Sequence, residues 1–282
     1  MNINDNINKI CIHKTEEFEI PLNKKVNVYF SHNYMLVTDK LYNQKIEYVK
    51  KSKCEYMNTR TGELKMIDTK NNNKSIASMR KSVFRMALII NSNFVGGKSE
   101  QFITLSYNHK VTESSTVNND LKNFCSKLKR LIKVEKLFRC IIITEFQNAG
   151  NPHFHLLLRR LDGQELSLSK AVVEKLWGKG LVDVQRIYDV HGLSNYLNPF
   201  NIETKKKRIG FYKKGMRIFR CHGQFEKPLK RTLTYEEILN LAKFHNLKEF
   251  SRVTYEIIEN ITNTIVNEIK KIKFIKEKKY DN

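Results

Sequence analysis

Apolar and polar residues change period several times along the 282-residue chain, and each change marks an element. Alternation with period two reads as a half-buried strand, and a period near 3.6 reads as an amphipathic helix. Lys25-Val-Asn-Val-Tyr-Phe30 and Tyr34-Met-Leu-Val37 are strand-like, and Thr59-Arg-Thr-Gly-Glu63 is a turn. Polar Lys70-Asn-Asn-Asn-Lys74 reads as a linker. Ser75 is suited to cap a helix through Met79, Val83, Met86, Ala87 and Ile90, which Asn91 to Gly97 ends. Gln101-Phe-Ile-Thr-Leu-Ser-Tyr107 is a strand. Asp120 opens a helix with Leu121, Phe124, Leu128, Leu131 and Ile132 as its apolar stripe.

Ile141 to Phe146 is β-branched and aromatic, and so is suited to a strand. Asn148-Ala-Gly-Asn-Pro152 is turn chemistry, and His153 to Leu158 is the returning strand. A short helix runs from Ser169 through Val172, Val173, Leu176 and Trp177, and Gly178 and Gly180 stop it. Leu181 to Ile187 alternates like a strand. Pro199 ends any helix near Leu197 or Asn198. Thr234 with Glu237 forms a capping box, and two amphipathic helices are expected from there to a lysine-rich end. The order predicts an α+β fold, a mainly antiparallel sheet with helices on one face. The expected parts are an N-terminal region (1–74, partly strand), a central domain (75–225) and a helical C-terminal region (226–282).

Composition adds a partner class. A hydrophobic fraction of 40%, with 16 Phe and 12 Tyr, fills a real core. Lys plus Arg number 51 against 29 Asp plus Glu, for a formal charge of +22. Such an excess points to a polyanion, with nucleic acid ahead of a ribosomal or membrane-surface role. An AT-rich coding sequence also produces part of this Lys-, Asn- and Ile-rich bias. No apolar run is long enough to span a bilayer, and Met1-Asn-Ile-Asn-Asp does not look like a signal sequence. Cys11, Cys54, Cys125, Cys140 and Cys221 are scattered, with no C-x-x-C pair, so a reducing, cytoplasmic setting is expected. The basic and aromatic stretch Gly210 to Arg220, after Lys205-Lys-Lys-Arg208, reads either as a platform for single-stranded nucleic acid or as a basic edge strand.

Strand alternation puts His153 and His155 on one face, with Phe154 opposite, and Glu145 lies across the turn. Two imidazoles and a carboxylate make a three-ligand site for a divalent metal. On a basic protein such a site suggests phosphodiester chemistry. Tyr196 is the candidate nucleophile, on a short helical segment past the last core strand.

Three segments then carry a resemblance. Phe102-Ile-Thr-Leu-Ser-Tyr107, Glu145 through His153-Phe-His155, and Ser194-Asn-Tyr196, in that order, resemble the motifs of the HUH endonucleases. The closest likeness is to the rolling-circle replication initiators (Rep proteins) of small plasmids and phages, and it covers residues 76 to 222. The resemblance implies a five-stranded antiparallel sheet with a ferredoxin-like helix arrangement. It implies His153, His155 and Glu145 as ligands of Mg²⁺ or Mn²⁺, with Gln147 as the fallback third ligand. It implies attack by Tyr196 on single-stranded or cruciform origin DNA, leaving a 5′-phosphotyrosyl link and a free 3′-hydroxyl primer. No second tyrosine lies one helical turn from Tyr196, so a single-tyrosine enzyme is expected. The family often has a lysine three or four residues after the tyrosine; here those positions are Pro199 and Phe200. Lys205, Lys206 or Lys207 would have to substitute from the following loop. No P-loop motif occurs, so a host helicase would unwind and a host polymerase extend. The alternatives are a non-catalytic HUH-fold DNA-binding protein in replication or copy control, and a single-tyrosine transposase.

Overall fold

A computed structural model describes residues 9–14, 18–40, 48–52, 55–59, 61–66, 76–132, 138–147, 149–200, 203–213, 216–259 and 265–276. The chain opens with strands β1 (Lys9–Lys14), β2 (Lys25–Phe30) and β3 (Tyr34–Lys40). A small meander follows as β4 (Tyr48–Lys50), β5 (Glu55–Asn58) and β6 (Leu64–Met66). The middle runs α1 (Ile76–Asn93), β7 (Glu100–Ser106), α2 (Ser114–Ile132), β8 (Phe138–Phe146) and β9 (Pro152–Arg160). It continues with α3 (Lys170–Trp177), β10 (Val182–Arg186), α4 (Val190–Tyr196), α5 (Glu203–Lys206) and β11 (Phe219–His222). The end is β12 (Leu229–Thr234), α6 (Tyr235–Phe244), β13 (Leu247–Glu259) and β14 (Ile265–Lys276). The expected linker Lys70 to Lys74, the Ser75 cap and the lysine-rich end lie outside the described residues.

The chain forms two units, Asn72–Lys227 and a second made of Met1–Asn71 with Pro228–Asn282. The first is built on a five-stranded sheet, ordered β10-β7-β9-β8-β11 and antiparallel throughout. Helices cover both of its faces, where one covered face was expected. Ile142, Phe154 and Leu156 pack with Phe124, Leu128, Val173 and Trp177 of α2 and α3. Ile141, Ile143 and Leu157 pack with Met79, Met86 and Ile90 of α1 and Leu197 beside α4. The unbroken run Ile141-Ile-Ile143 has this cause, because a strand covered twice needs apolar residues at every position. α2 begins at Ser114, ahead of Asp120, because Val117 extends the same buried stripe. Local chemistry fixes α3 at both ends. Ser169 accepts from Val172 N–H, and Gly178 adopts the left-handed conformation with its N–H on Glu174 O.

The second unit holds a six-stranded sheet, ordered β1-β13-β14-β3-β2-β12. Val28, Met35, Val37, Ile272 and Phe274 of this sheet pack on Ile238 and Ala242 of α6. The capping box of Thr234 and Glu237 opens α6 as read from the sequence. The second C-terminal helix is absent among the described residues, and the segment is the hairpin β13–β14 instead. Ile265, Ile269 and Ile272 stand at helical spacing, but Ile272 and Phe274 are buried together at period two. Pairing of Ile272 with Val37 and of Ile258 with Ile10 decides between the two periods. The N-terminal and C-terminal regions, expected as separate parts, are therefore interleaved in one sheet.

Candidate active site

The β8–β9 hairpin places the acidic and imidazole groups. Its register sets Glu145 opposite His153 and Ile143 opposite His155. The turn is tied by Gln147 N–H to Asn151 O, at 2.9 Å. Gly150 has φ +81°, and a Cβ there would meet the Phe211 ring at 3.0 Å, so glycine is required. The Asn151 side chain accepts from Val111 N–H at 3.0 Å and donates to His109 O at 3.1 Å. Gln147 lies in the turn, beyond the end of β8.

β7 supports the imidazoles from their other side. Ser106 pairs with His153 and Thr104 with His155. Ser106 Oγ is 2.8 Å from His153 Nδ1, and Thr104 Oγ1 is 3.2 Å from His155 Nδ1. Phe102 stacks on His155 with 5.3 Å between ring centroids. The hydroxyls hold the Nδ1 atoms, so Nε2 is the nitrogen each ring has left for the site. His155 Nε2 stands 3.0 Å from Glu145 Oε2, and the two imidazole centroids are 4.6 Å apart. Burial, and then the neighbouring His155, pushes the pKa of His153 down to about 4, so its ring is neutral at neutral pH.

Tyr196 ends α4. Asp189 caps this helix, accepting from His191 N–H and Gly192 N–H. The buried Asn91 of α1 ties the helix down, with Nδ2 donating to Ser194 Oγ at 3.2 Å and Oδ1 lying 2.5 Å from His191 Nδ1. The Tyr196 ring is 47% exposed and packs edge-on to His155, centroids 5.9 Å apart. Asn91 and His191 were not singled out in the sequence as positioning residues; the chemistry of each is visible there, but their adjacency is not.

Lys205 of α5 enters the same cluster, whereas Lys206 and Lys207 are exposed. Its Nζ is 3.0 Å from Glu145 Oε1 and 3.1 Å from Oε2. It donates to Tyr196 O at 2.8 Å and sits 3.9 Å from the centre of the Tyr196 ring. Arg208 lies 3.7 Å from Glu145 Oε1 and donates to Phe146 O. Burial disfavours charge on Glu145, but hydrogen bonds from His155 and Lys205 more than offset it and hold the carboxyl below its ordinary pKa. Burial and the Glu145 charge raise the Tyr196 pKa, and Arg208 opposes them. The basic and aromatic stretch beyond serves the sheet. Tyr212 is buried with its hydroxyl on Thr144 O, and Phe219–His222 is the edge strand β11.

Among the described residues, no group of three or more His, Cys, Asp or Glu side chains is arranged to hold a metal ion. Lys205 engages both oxygens of Glu145, the expected third ligand. The donor chemistry nevertheless fits a divalent ion. Two neutral imidazoles are backed by hydroxyls, and His155 Nε2 and Glu145 Oε2 stand 3.0 Å apart. Two ligands about 2.1 Å from one ion and at a right angle to each other have about that separation. The site takes a metal when Lys205 yields a Glu145 oxygen.

Residues 100–200 match a family model whose description is that of a replication-associated protein of the ORF2 kind. The matched span contains Glu145, His153, His155 and Tyr196 and ends before Lys205. The match supports a role in starting replication. No curated protein and no solved structure matched the chain. Among the described residues, no helix is long and apolar enough to cross a membrane.

Proposed function

We propose that this protein is a rolling-circle replication initiator that nicks one strand of origin DNA, with Tyr196 as the nucleophile. The observation that carries the reading is the gathering of Tyr196, His155, Glu145 and Lys205 at one site, with His153 beside them. Tyr196 Oη attacks the scissile phosphorus and forms a phosphotyrosyl bond. The bond from phosphorus to O3′ breaks, and O3′ leaves as the primer hydroxyl after taking a proton from solvent. The phenol proton passes to solvent, to which nearly half of Tyr196 is open. With its pKa raised, the phenol is protonated at rest, so attack depends on nearby positive charge. Lys205 and Arg208 supply that charge and also attract the phosphate. Lys205 takes the place of the lysine missing after the tyrosine, reaching the site from α5. His153, His155 and Glu145 would hold Mg²⁺ or Mn²⁺. When bound, such an ion polarises a phosphate oxygen and orients the scissile bond.

One observation favours a second reading. Lys205 already engages both Glu145 oxygens, and a protein that keeps this pair closed would bind origin DNA without cutting it. Covalent capture on a gel decides between them. The protein is mixed with single-stranded DNA from its replicon's candidate origins, with Mn²⁺, with Mg²⁺ and with chelator. The nickase reading expects a metal-dependent adduct that is absent from Tyr196→Phe and His153→Ala. An adduct that survives Tyr196→Phe moves the nucleophile to another tyrosine. DNA that is bound but never captured establishes the non-catalytic reading.

A further inference from the structure

The groove before Tyr196 has a second wall on β10, at the opposite edge of the sheet from the Glu145 side. The register sets Asp183 opposite Thr104 and Gln185 opposite Phe102. Cross-strand partners share a face, so both side chains rise on the face that carries His153 and His155. Val182 and Val184 turn the other way, into the core. Only β7 separates β10 from β9, which puts Asp183 two strand spacings, about 10 Å, from His155. Tyr188 lines the same groove and is 72% exposed.

Gln185 Nε2 donates to Asp183 Oδ2 at 2.6 Å. That bond turns the amide nitrogen toward the carboxylate, leaving Gln185 Oε1 and Asp183 Oδ1 to face the groove as acceptors. A wall of acceptors repels phosphate, so the backbone of a bound strand keeps to the side of Lys205 and Arg208. A base edge rich in donors is attracted instead. On their pairing edges adenine, cytosine and thymine each offer one donor group beside an acceptor. Guanine alone offers two adjacent donors, the ring N1–H and the exocyclic amine. A carboxylate accepts such a pair through charge-assisted hydrogen bonds, and an exposed tyrosine ring stacks on a base of any kind.

We propose that Asp183, Gln185 and Tyr188 form a guanine-selective base subsite next to the scissile phosphate. The inference rests on the reading of this groove as a path for single-stranded DNA. Its test is fluorescence anisotropy with the full-length protein in chelator, using labelled oligothymidylate and the same oligomer with one central dG, dA or dC. The single-dG strand is expected to bind about tenfold tighter than the other three. Asp183→Asn, which replaces an acceptor by a donor at constant volume, abolishes that difference, and Gln185→Ala reduces it. Tyr188→Ala weakens all four strands alike. Equal binding of the four by the wild type, or a dG preference that survives Asp183→Asn, overturns the proposal. The outcome separates from that of covalent capture. A dG preference without any adduct keeps the subsite and removes the nickase, while an adduct without a preference removes the subsite alone.

Discussion

Lys205 and Glu145 are 7% and 8% exposed, so their ion pair is shielded from water. Removing one partner of a buried pair leaves a charge uncompensated and typically costs about 3–5 kcal/mol. Glu145 would keep His155 and Arg208, so Lys205→Ala is expected to cost less, about 2 kcal/mol, read from urea unfolding. The same variant frees the carboxylate, and its affinity for Mn²⁺, followed by titration calorimetry, should rise. Unchanged stability and unchanged Mn²⁺ binding would show that the pair does not gate the site. His153 gives a pH signature in chelated protein. Its folded pKa of about 4 lies below the ordinary 6.5, so between those values the unfolded chain binds the proton and the folded chain does not. Its contribution is complete above pH 6.5 and is lost as pH falls toward 4. Melts over that range should slope less for His153→Asn than for wild type. The histidines and Glu145 were legible in the sequence because strand alternation and one tight turn bring them together. Lys205 was not distinguishable from Lys206 and Lys207, since it meets Glu145 across 60 residues of chain.

The element that aims the nucleophile is α4, and α1 holds it through Asn91. Asn91→Ala strips partners from Ser194 Oγ and His191 Nδ1, a loss expected to cost about 1–3 kcal/mol. The helix would then sit less firmly, and adduct formation should fall further than DNA binding does. Equal losses of both would make Asn91 purely structural. Elements whose ends are set locally were the legible ones. Ser169 and Gly178 mark α3, and Thr234 with Glu237 marks the start of α6, within a few residues of sequence. β13 and β14 were misread because their pattern of isoleucine and lysine suits two periods, and their partners β1 and β3 lie at the far end of the chain. The coverage of the five-stranded sheet on both faces was signalled by Ile141-Ile-Ile143, which has no polar side to give to water.

At the scale of the whole molecule the open question is the charge of +22, which has two sources to weigh. If it is coding bias spread over the surface, it contributes little to a particular complex. If it follows the path of a nucleic acid, binding releases counterions and weakens steeply with salt. Single strands lose about 0.7 of a log unit in affinity per log unit of salt for each phosphate neutralised. A contact with about five phosphates therefore predicts a fall of about 100-fold between 50 and 200 mM salt. Lys205 and Arg208 stand beside Tyr196, so Arg208→Ala should make the slope shallower by about one phosphate, about 0.7, while Tyr196→Phe leaves it unchanged. The measurement is anisotropy of a labelled single strand across a salt series. A steep wild-type slope that Arg208→Ala relaxes ties the charge to the cutting groove. A steep slope that Arg208→Ala leaves alone places the contacts elsewhere on the protein, and a flat one assigns the excess of lysine to composition.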